Sequence, residues 1–258
     1  MSNQNTPFQI KDSTVLVTGA TRGLGASFVS ALIQRGASRI YAGARSTQSI
    51  QLMIDKLGPK VVAVELDVTD QDQVNKVASE AGDVSLLINN AGVLGSKGLI
   101  EAGDIDTLAY EMDVNVYGLA RMSLAFAPIL ASNGGGAILN ILSVASLHAF
   151  APMGSYSATK AAAMSLTQSM AYELRDQGTQ VFGTYAGYID TGMINHITGD
   201  KTSPEAIADA SLEGLETGTS DIDADERATA VRALLNEGGP GVREAYWSRA
   251  DEFKENQG

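Results

Sequence analysis

The chain of 258 residues contains no cysteine and only two histidines, His148 and His196. The first absence excludes disulfides, thiolate nucleophiles and cysteine metal sites, and the second excludes a histidine-rich metal centre. Positive charge is also scarce: 18 lysines and arginines stand against 30 acids, for a net charge of −12. Binding a phosphate backbone needs a basic face, so nucleic acid is disfavoured as a partner. An anionic cofactor is still allowed, because backbone N–H groups at a helix N-terminus bind phosphate even in an acidic protein. No uninterrupted apolar run approaches 18 residues, so no membrane span is expected. The opening segment MSNQNTPFQIKD lacks the basic-then-apolar order of a secretory signal. A soluble, cytoplasmic protein is the expectation.

Apolar residues make up 44% of the chain and charged residues 19%, enough to build a core and too few charges for disorder. The length suits one α/β domain over residues 13–258 behind a polar tail at 1–12. β-branched and apolar runs at 13–18, 39–44, 60–66, 84–88, 137–142 and 179–185 read as buried parallel strands. Helical periodicity falls between them, at 26–36, 47–57, 70–81, 104–131, 156–177 and 204–216. This alternation predicts a Rossmann-type, doubly wound parallel sheet of six to seven strands with helices on both faces. A short seventh strand at 217–225 is the most that the C-terminal region offers, with a helix and tail over 226–258. No repeat or low-complexity segment interrupts the pattern.

Two stretches carry chemistry. Gly19, Thr21, Arg22, Gly23, Leu24 and Gly25 lie between the first strand and the first helix, the arrangement that sets a phosphate on a helix N-terminus. An NAD-selective site carries an acid about 20 residues past the last glycine; here those positions are Ala44 and Arg45. Arg45, with Arg22 in the turn, suits a ribose 2′-phosphate, although solvated surface arginines would look the same in sequence. The missing acid tips the reading towards NADP(H). The second stretch runs from Ser143 to Lys160 and includes Tyr156. At i and i+4 of one helix, Tyr156 and Lys160 share a face. An ammonium near a phenol lowers the phenol pKa, which suits a general acid or base. Ser143 follows a strand and sits where such sheets bind ligands.

TGATRGLG at 18–25, NNAG at 89–92, Asn115, Ser143 and YSATK at 156–160 follow one another as in the short-chain dehydrogenase/reductases, which the chain resembles over roughly 12–215. The resemblance implies hydride transfer between NADP(H) and a ketone, aldehyde or secondary alcohol. It implies that Tyr156 exchanges the proton with the substrate oxygen and that Ser143 hydrogen-bonds that oxygen. Lys160 would hold the nicotinamide ribose, and Asn115 would hold a water behind Lys160. Gly19, Thr21, Arg22, Gly23, Leu24 and Gly25 would bind the pyrophosphate, Asp67 and Val68 the adenine. Asn89, Ala91 and Gly92 would line the cofactor, and Gly187, Ile189 and Thr191 would meet the nicotinamide end. In a substrate loop at about 188–216 and before it, His148, Phe150, Met153, Tyr188, Met193 and His196 are candidates for the pocket, with plain core or loop packing the alternative for each. An apolar-aromatic lining suits a hydrophobic ketone. Epimerase or dehydratase chemistry, or a dinucleotide-sensing protein without catalysis, are the rival readings. The family further implies a homodimer or homotetramer. Two departures stand out: Ala186-Gly187 replaces the usual Pro-Gly, and no V-D-G-G-like turn closes the chain.

Overall fold

The computed structural model describes residues 7–95, 98–195 and 198–236. Its strands are β1 (Thr14–Thr18), β2 (Arg39–Ala44), β3 (Val61–Glu65), β4 (Leu86–Asn89), β5 (Gly136–Ile141), β6 (Thr179–Tyr185) and β7 (Asp221–Asp223). Its helices are α1 (Gly23–Gln34), α2 (Gln48–Leu57), α3 (Gln71–Glu80), α4 (Leu99–Ala102), α5 (Asp106–Met112), α6 (Leu119–Ser132), α7 (Val144–Leu147), α8 (Gly154–Glu173), α9 (Pro204–Thr217) and α10 (Glu226–Asn236). The strands form one sheet in the order β3-β2-β1-β4-β5-β6-β7. All pairings are parallel. The winding reverses between β1 and β4, and a crevice at the carboxyl ends of those strands is where such sheets bind ligands.

Strands buried on both faces divide their side chains between two cores. Val15 and Val17 of β1 pack with Phe28 and Leu32 of α1 and with Leu212 and Leu215 of α9. Leu16, between them, packs on the other side with Val74 and Val77 of α3 and with Met122, Phe126 and Leu130 of α6. This alternation is what makes the sheet doubly wound.

Three differences from the expected elements bear on the site. The single helix expected over 104–131 has a π-helical turn, Asp113–Gly118, between α5 and α6. That turn accompanies a close approach at both ends. Asn115 is bonded to Val93, and a Cβ on Gly118 would stand 2.6 Å from Val68 Cγ2. The Asp106–Ser132 run is also long and apolar enough, by length and composition, to cross a membrane; in this fold half of it is buried, and it serves as a core helix. Second, α7 and a 3-10 turn at Ala151–Met153 fill the interval between β5 and α8. Third, the described part of the polar tail is anchored: Ile10 is fully buried and Phe8 N–H donates to Leu215 O at 2.9 Å. The alternating Phe8 and Ile10 supply the apolar contacts that the segment's average polarity conceals.

The short seventh strand and the helix expected after it are both present, as β7 and α10. β7 pairs with β6, and Arg232 of α10 grips Asp223 at 2.7 and 2.9 Å. The same guanidinium lies 4.5 Å from the Tyr185 ring centroid, and Tyr185 donates to Asp221 at 2.9 Å. The expected continuation over 237–258 lies outside the described residues.

Candidate active site

The glycine turn joins β1 to α1 at the crevice. Gly19 and Gly23 have φ of +65° and +53°, the left-handed region that favours glycine. Gly25 is required by space: a Cβ there would stand 2.2 Å from Gly19 O. Arg22 at the N-cap gives no side-chain cap, and the first turn of α1 holds no acid. The leading N–H groups of α1 thus face a glycine-lined cradle without a carboxylate competing for them, which fits an anionic pyrophosphate. Arg22 and Arg45 are exposed, and neither forms an ion pair among the described residues. At the end of β3, Asp67 Oδ1 accepts from Thr69 N–H and Oγ1. Val68 is buried beneath α6.

The loop leaving β4 is fastened to this turn. Thr18 Oγ1 accepts the N–H groups of Asn90 and Ala91 at 3.0 and 2.9 Å. Asn90 Nδ2 donates to Thr18 O and Gly19 O. Asn90 is therefore the side chain that braces the turn, a role sequence reasoning missed; the doubled asparagine was the available signal. Asn89 points elsewhere. Its Nδ2 donates to Ser123 Oγ and Asn140 Oδ1, and Asn140 Nδ2 donates on to Thr167, forming a buried polar ladder beneath the site. A Cβ on Gly92 would approach Asn115 Oδ1 at 3.3 Å and Lys160 Nζ at 3.8 Å, so this glycine leaves room beside both groups.

Ser143, Tyr156 and Lys160 converge from two local structures. Ser143 caps α7, its Oγ accepting Ala145 N–H at 3.1 Å in a capping box with Ser146. The Ser143 hydroxyl donates to Ala186 O at 3.4 Å, and it stands near enough to the Tyr156 phenol to favour its ionised form. Tyr156 and Lys160 lie in the first turns of α8, and the Lys160 ammonium is 5.7 Å from the Tyr156 ring centroid. Burial pushes the phenol up to about 12, with the Ser143 hydroxyl opposing and Glu111 reinforcing the rise. The expected lowering by Lys160 is thus reversed. The ammonium is instead bonded to Ile141 O at 2.7 Å, and burial lowers its own pKa to about 8. Asn115 is buried, with Oδ1 accepting Val93 N–H at 2.8 Å and Nδ2 donating to Val93 O and Thr159 Oγ1. Its side chain is therefore occupied in shaping the loop.

Over the phenol lies an apolar cluster of Leu94, Phe150, Met153, Tyr156, Tyr188 and Ile194. It brings together three of the expected pocket residues and adds Leu94 and Ile194, which sequence reasoning did not single out. His148 is half-buried with Nδ1 on Ala149 O at 2.9 Å; Met193 is exposed; His196 lies outside the described residues. Thr191 packs against Gly23, 2.9 Å from where a Cβ would be, and Ile189 bridges to Thr202. The C-terminal region reaches this rim. Asp225 accepts Gly187 N–H at 2.7 Å, and Arg227 lies over Gly187 and 4.5 Å from the Tyr188 ring centroid.

Known proteins share this fold. The profile of the family described as short chain dehydrogenase matches residues 13–202. A short chain dehydrogenase from Burkholderia cenocepacia, solved in complex with NADP, superposes with a TM-score of 0.86 at 38% identity, covering 94% of this chain and 99% of that one. A short chain dehydrogenase/reductase from Burkholderia phymatum, in complex with NAD, does so with a TM-score of 0.79 at 26% identity, covering 87% and 93%. In sequence, the gluconate 5-dehydrogenase of Gluconobacter oxydans is 34% identical over 75% of this chain and 78% of its own.

Proposed function

The chain belongs to the short-chain dehydrogenase family, and from that premise we propose that it is an NADP(H)-dependent reductase of apolar ketones or aldehydes. The observation that carries the reading is the Tyr156 phenol set within an apolar cluster, with the Ser143 hydroxyl and the Lys160 ammonium nearby. When bound, the nicotinamide cofactor supplies the hydride. The glycine turn and the leading N–H groups of α1 hold the pyrophosphate, and Arg45 with Arg22 accepts a 2′-phosphate. Ser143 donates a hydrogen bond to the substrate oxygen and Tyr156 gives it a proton. A phenol raised to about 12 is protonated at neutral pH, the state that a proton donor to a carbonyl oxygen needs. Lys160, beside Tyr156, places a cation near the developing charge. Leu94, Phe150, Met153, Tyr188 and Ile194 exclude water and accept an apolar substituent.

One observation favours a second reading, the oxidation of a sugar acid or polyol: the similarity to a gluconate 5-dehydrogenase. The deciding experiment measures NADPH oxidation, with NADH in parallel, against aromatic, aliphatic and cyclic ketones and aldehydes, alongside 5-ketogluconate. Faster turnover of the apolar ketones with NADPH supports the reductase; turnover confined to the keto acid transfers the assignment to the second reading. In either case we infer a homo-oligomer, supported by exposed Tyr110, Tyr117 and Leu124, which recur every seven residues, and by exposed Tyr172 on α8.

A further inference from the structure

Glu111 adds to the rise of the Tyr156 pKa but has no step in the chemistry above, and it is fully buried beside it. It lies on α5, which packs against α8, one turn before Asn115. Its Oε1 accepts Gly95 N–H at 2.6 Å, while Oε2 is buried with no hydrogen-bond partner. Removing a carboxylate from water costs several kcal/mol, and a single N–H partner offsets only part of that. An apolar side chain would fill the position at lower cost, so the carboxylate calls for a local reason.

The reason lies in what the two residues grip. Asn115 holds both backbone polar groups of Val93, and Glu111 holds the N–H of Gly95. Between these two fixed points stands Leu94, which among the described residues is this loop's contribution to the cluster on Tyr156. Gly95 allows the grip to close: a Cβ there would stand 2.3 Å from Thr107 Cγ2 and 3.1 Å from Glu111 Oε1. With a fixed backbone on either side, the Leu94 side chain is a rigid wall rather than a loop side chain that yields to whatever enters.

We propose that Glu111 is a positioning residue that sets substrate specificity, its carboxylate fixing Gly95 so that Leu94 forms a rigid wall of the pocket beside Tyr156. The kinetic consequence rests on the reductase reading; the structural one does not. The test compares wild type, Glu111→Gln, Glu111→Ala and Leu94→Ala by amide hydrogen exchange across 90–95 and by steady-state kinetics with the best apolar ketone. Exchange at Gly95 rises at least about tenfold in Glu111→Ala, the loss of one buried hydrogen bond, and stays at the wild-type rate in Glu111→Gln, which keeps an acceptor. KM rises about tenfold in Glu111→Ala and Leu94→Ala with kcat nearly unchanged, and Glu111→Gln restores it. Wild-type exchange and KM in Glu111→Ala overturn the proposal. So does equal damage in the Gln and Ala variants, and so does a wild-type KM in Leu94→Ala, the variant that decides if Glu111→Ala does not fold. If wild type reduces no ketone, the reductase reading fails alone, because the exchange comparison still decides the clamp.

Discussion

Lys160 carries its charge where water is nearly excluded. Its ammonium pKa falls from 10.5 to about 8 through burial, a penalty on the charged form of about 3 kcal/mol. Because the unfolded chain keeps its proton up to the higher value, this group makes the native state gain stability as pH rises from about 8 towards 10.5. Lys160→Met removes the penalty, so its melting temperature relative to wild type is highest below pH 8 and declines by pH 10; a difference independent of pH contradicts the buried cation. Tyr156→Phe is expected to lower turnover roughly 10²–10⁴-fold, the worth of a positioned proton donor, with cofactor affinity retained by fluorescence titration. Arg45→Asp is expected to move the kcat/KM preference from NADPH towards NADH, since a carboxylate repels a 2′-phosphate and accepts from a 2′-hydroxyl. An unmoved preference removes Arg45 from the site. That Tyr156 and Lys160 would share one helix, with Ser143 after a strand, was readable in sequence from their spacing. The direction of the Tyr156 shift was not, since burial, the cause that outweighs the rest, is a property of the assembled fold.

At the scale of elements, the strands and the glycine turn were legible because apolar runs and φ-demanding glycines mark them directly. The π turn before α6, the Glu111 grip and the bracing by Asn90 were not, because each depends on a partner 16 to 72 residues distant. The last helix was expected; what fastens it was not. Asp225 joins two elements: one oxygen accepts Gly187 N–H at 2.7 Å and the other caps α10 at Ala228 N–H, 2.8 Å away. The alanine in place of proline at 186 thus precedes a loop whose first amide is held from outside, a restraint that replaces a fixed φ. Asp225→Ala is expected to cost about 1–3 kcal/mol by denaturant titration and to speed amide exchange at 187–191. Loss of stability without faster exchange there limits Asp225 to capping.

For the whole molecule, a pair of changes, Tyr117→Glu with Leu124→Glu, places charge on residues that are 53% and 77% exposed in the single chain. Light scattering is expected to show a smaller assembly than wild type with the monomer fold intact by circular dichroism; an unchanged mass puts the contact between copies elsewhere. The acidic surface, the single sheet and the crevice at its carboxyl edge were all readable from composition and alternation. What sequence could not reveal is how the sheet fixes its own alignment. Apolar strands such as β4 and β5 would keep their two-faced pattern after a slip of two residues, since side chains repeat with period two. The Asn89–Asn140–Thr167 ladder removes that freedom: its amides meet only when Asn89 lies opposite Asn140, as they do here. Asn89 Oδ1 is unpaired even in register, and a slipped sheet would also strand Asn89 Nδ2 and Asn140 Oδ1 in the interior, at about 1–3 kcal/mol for each unpaired group. The ladder is therefore a proofreading device for assembly, and it keeps the ends of β4 and β5 level, so that the loop gripped by Asn115 and the serine that meets Tyr156 arrive at the same height.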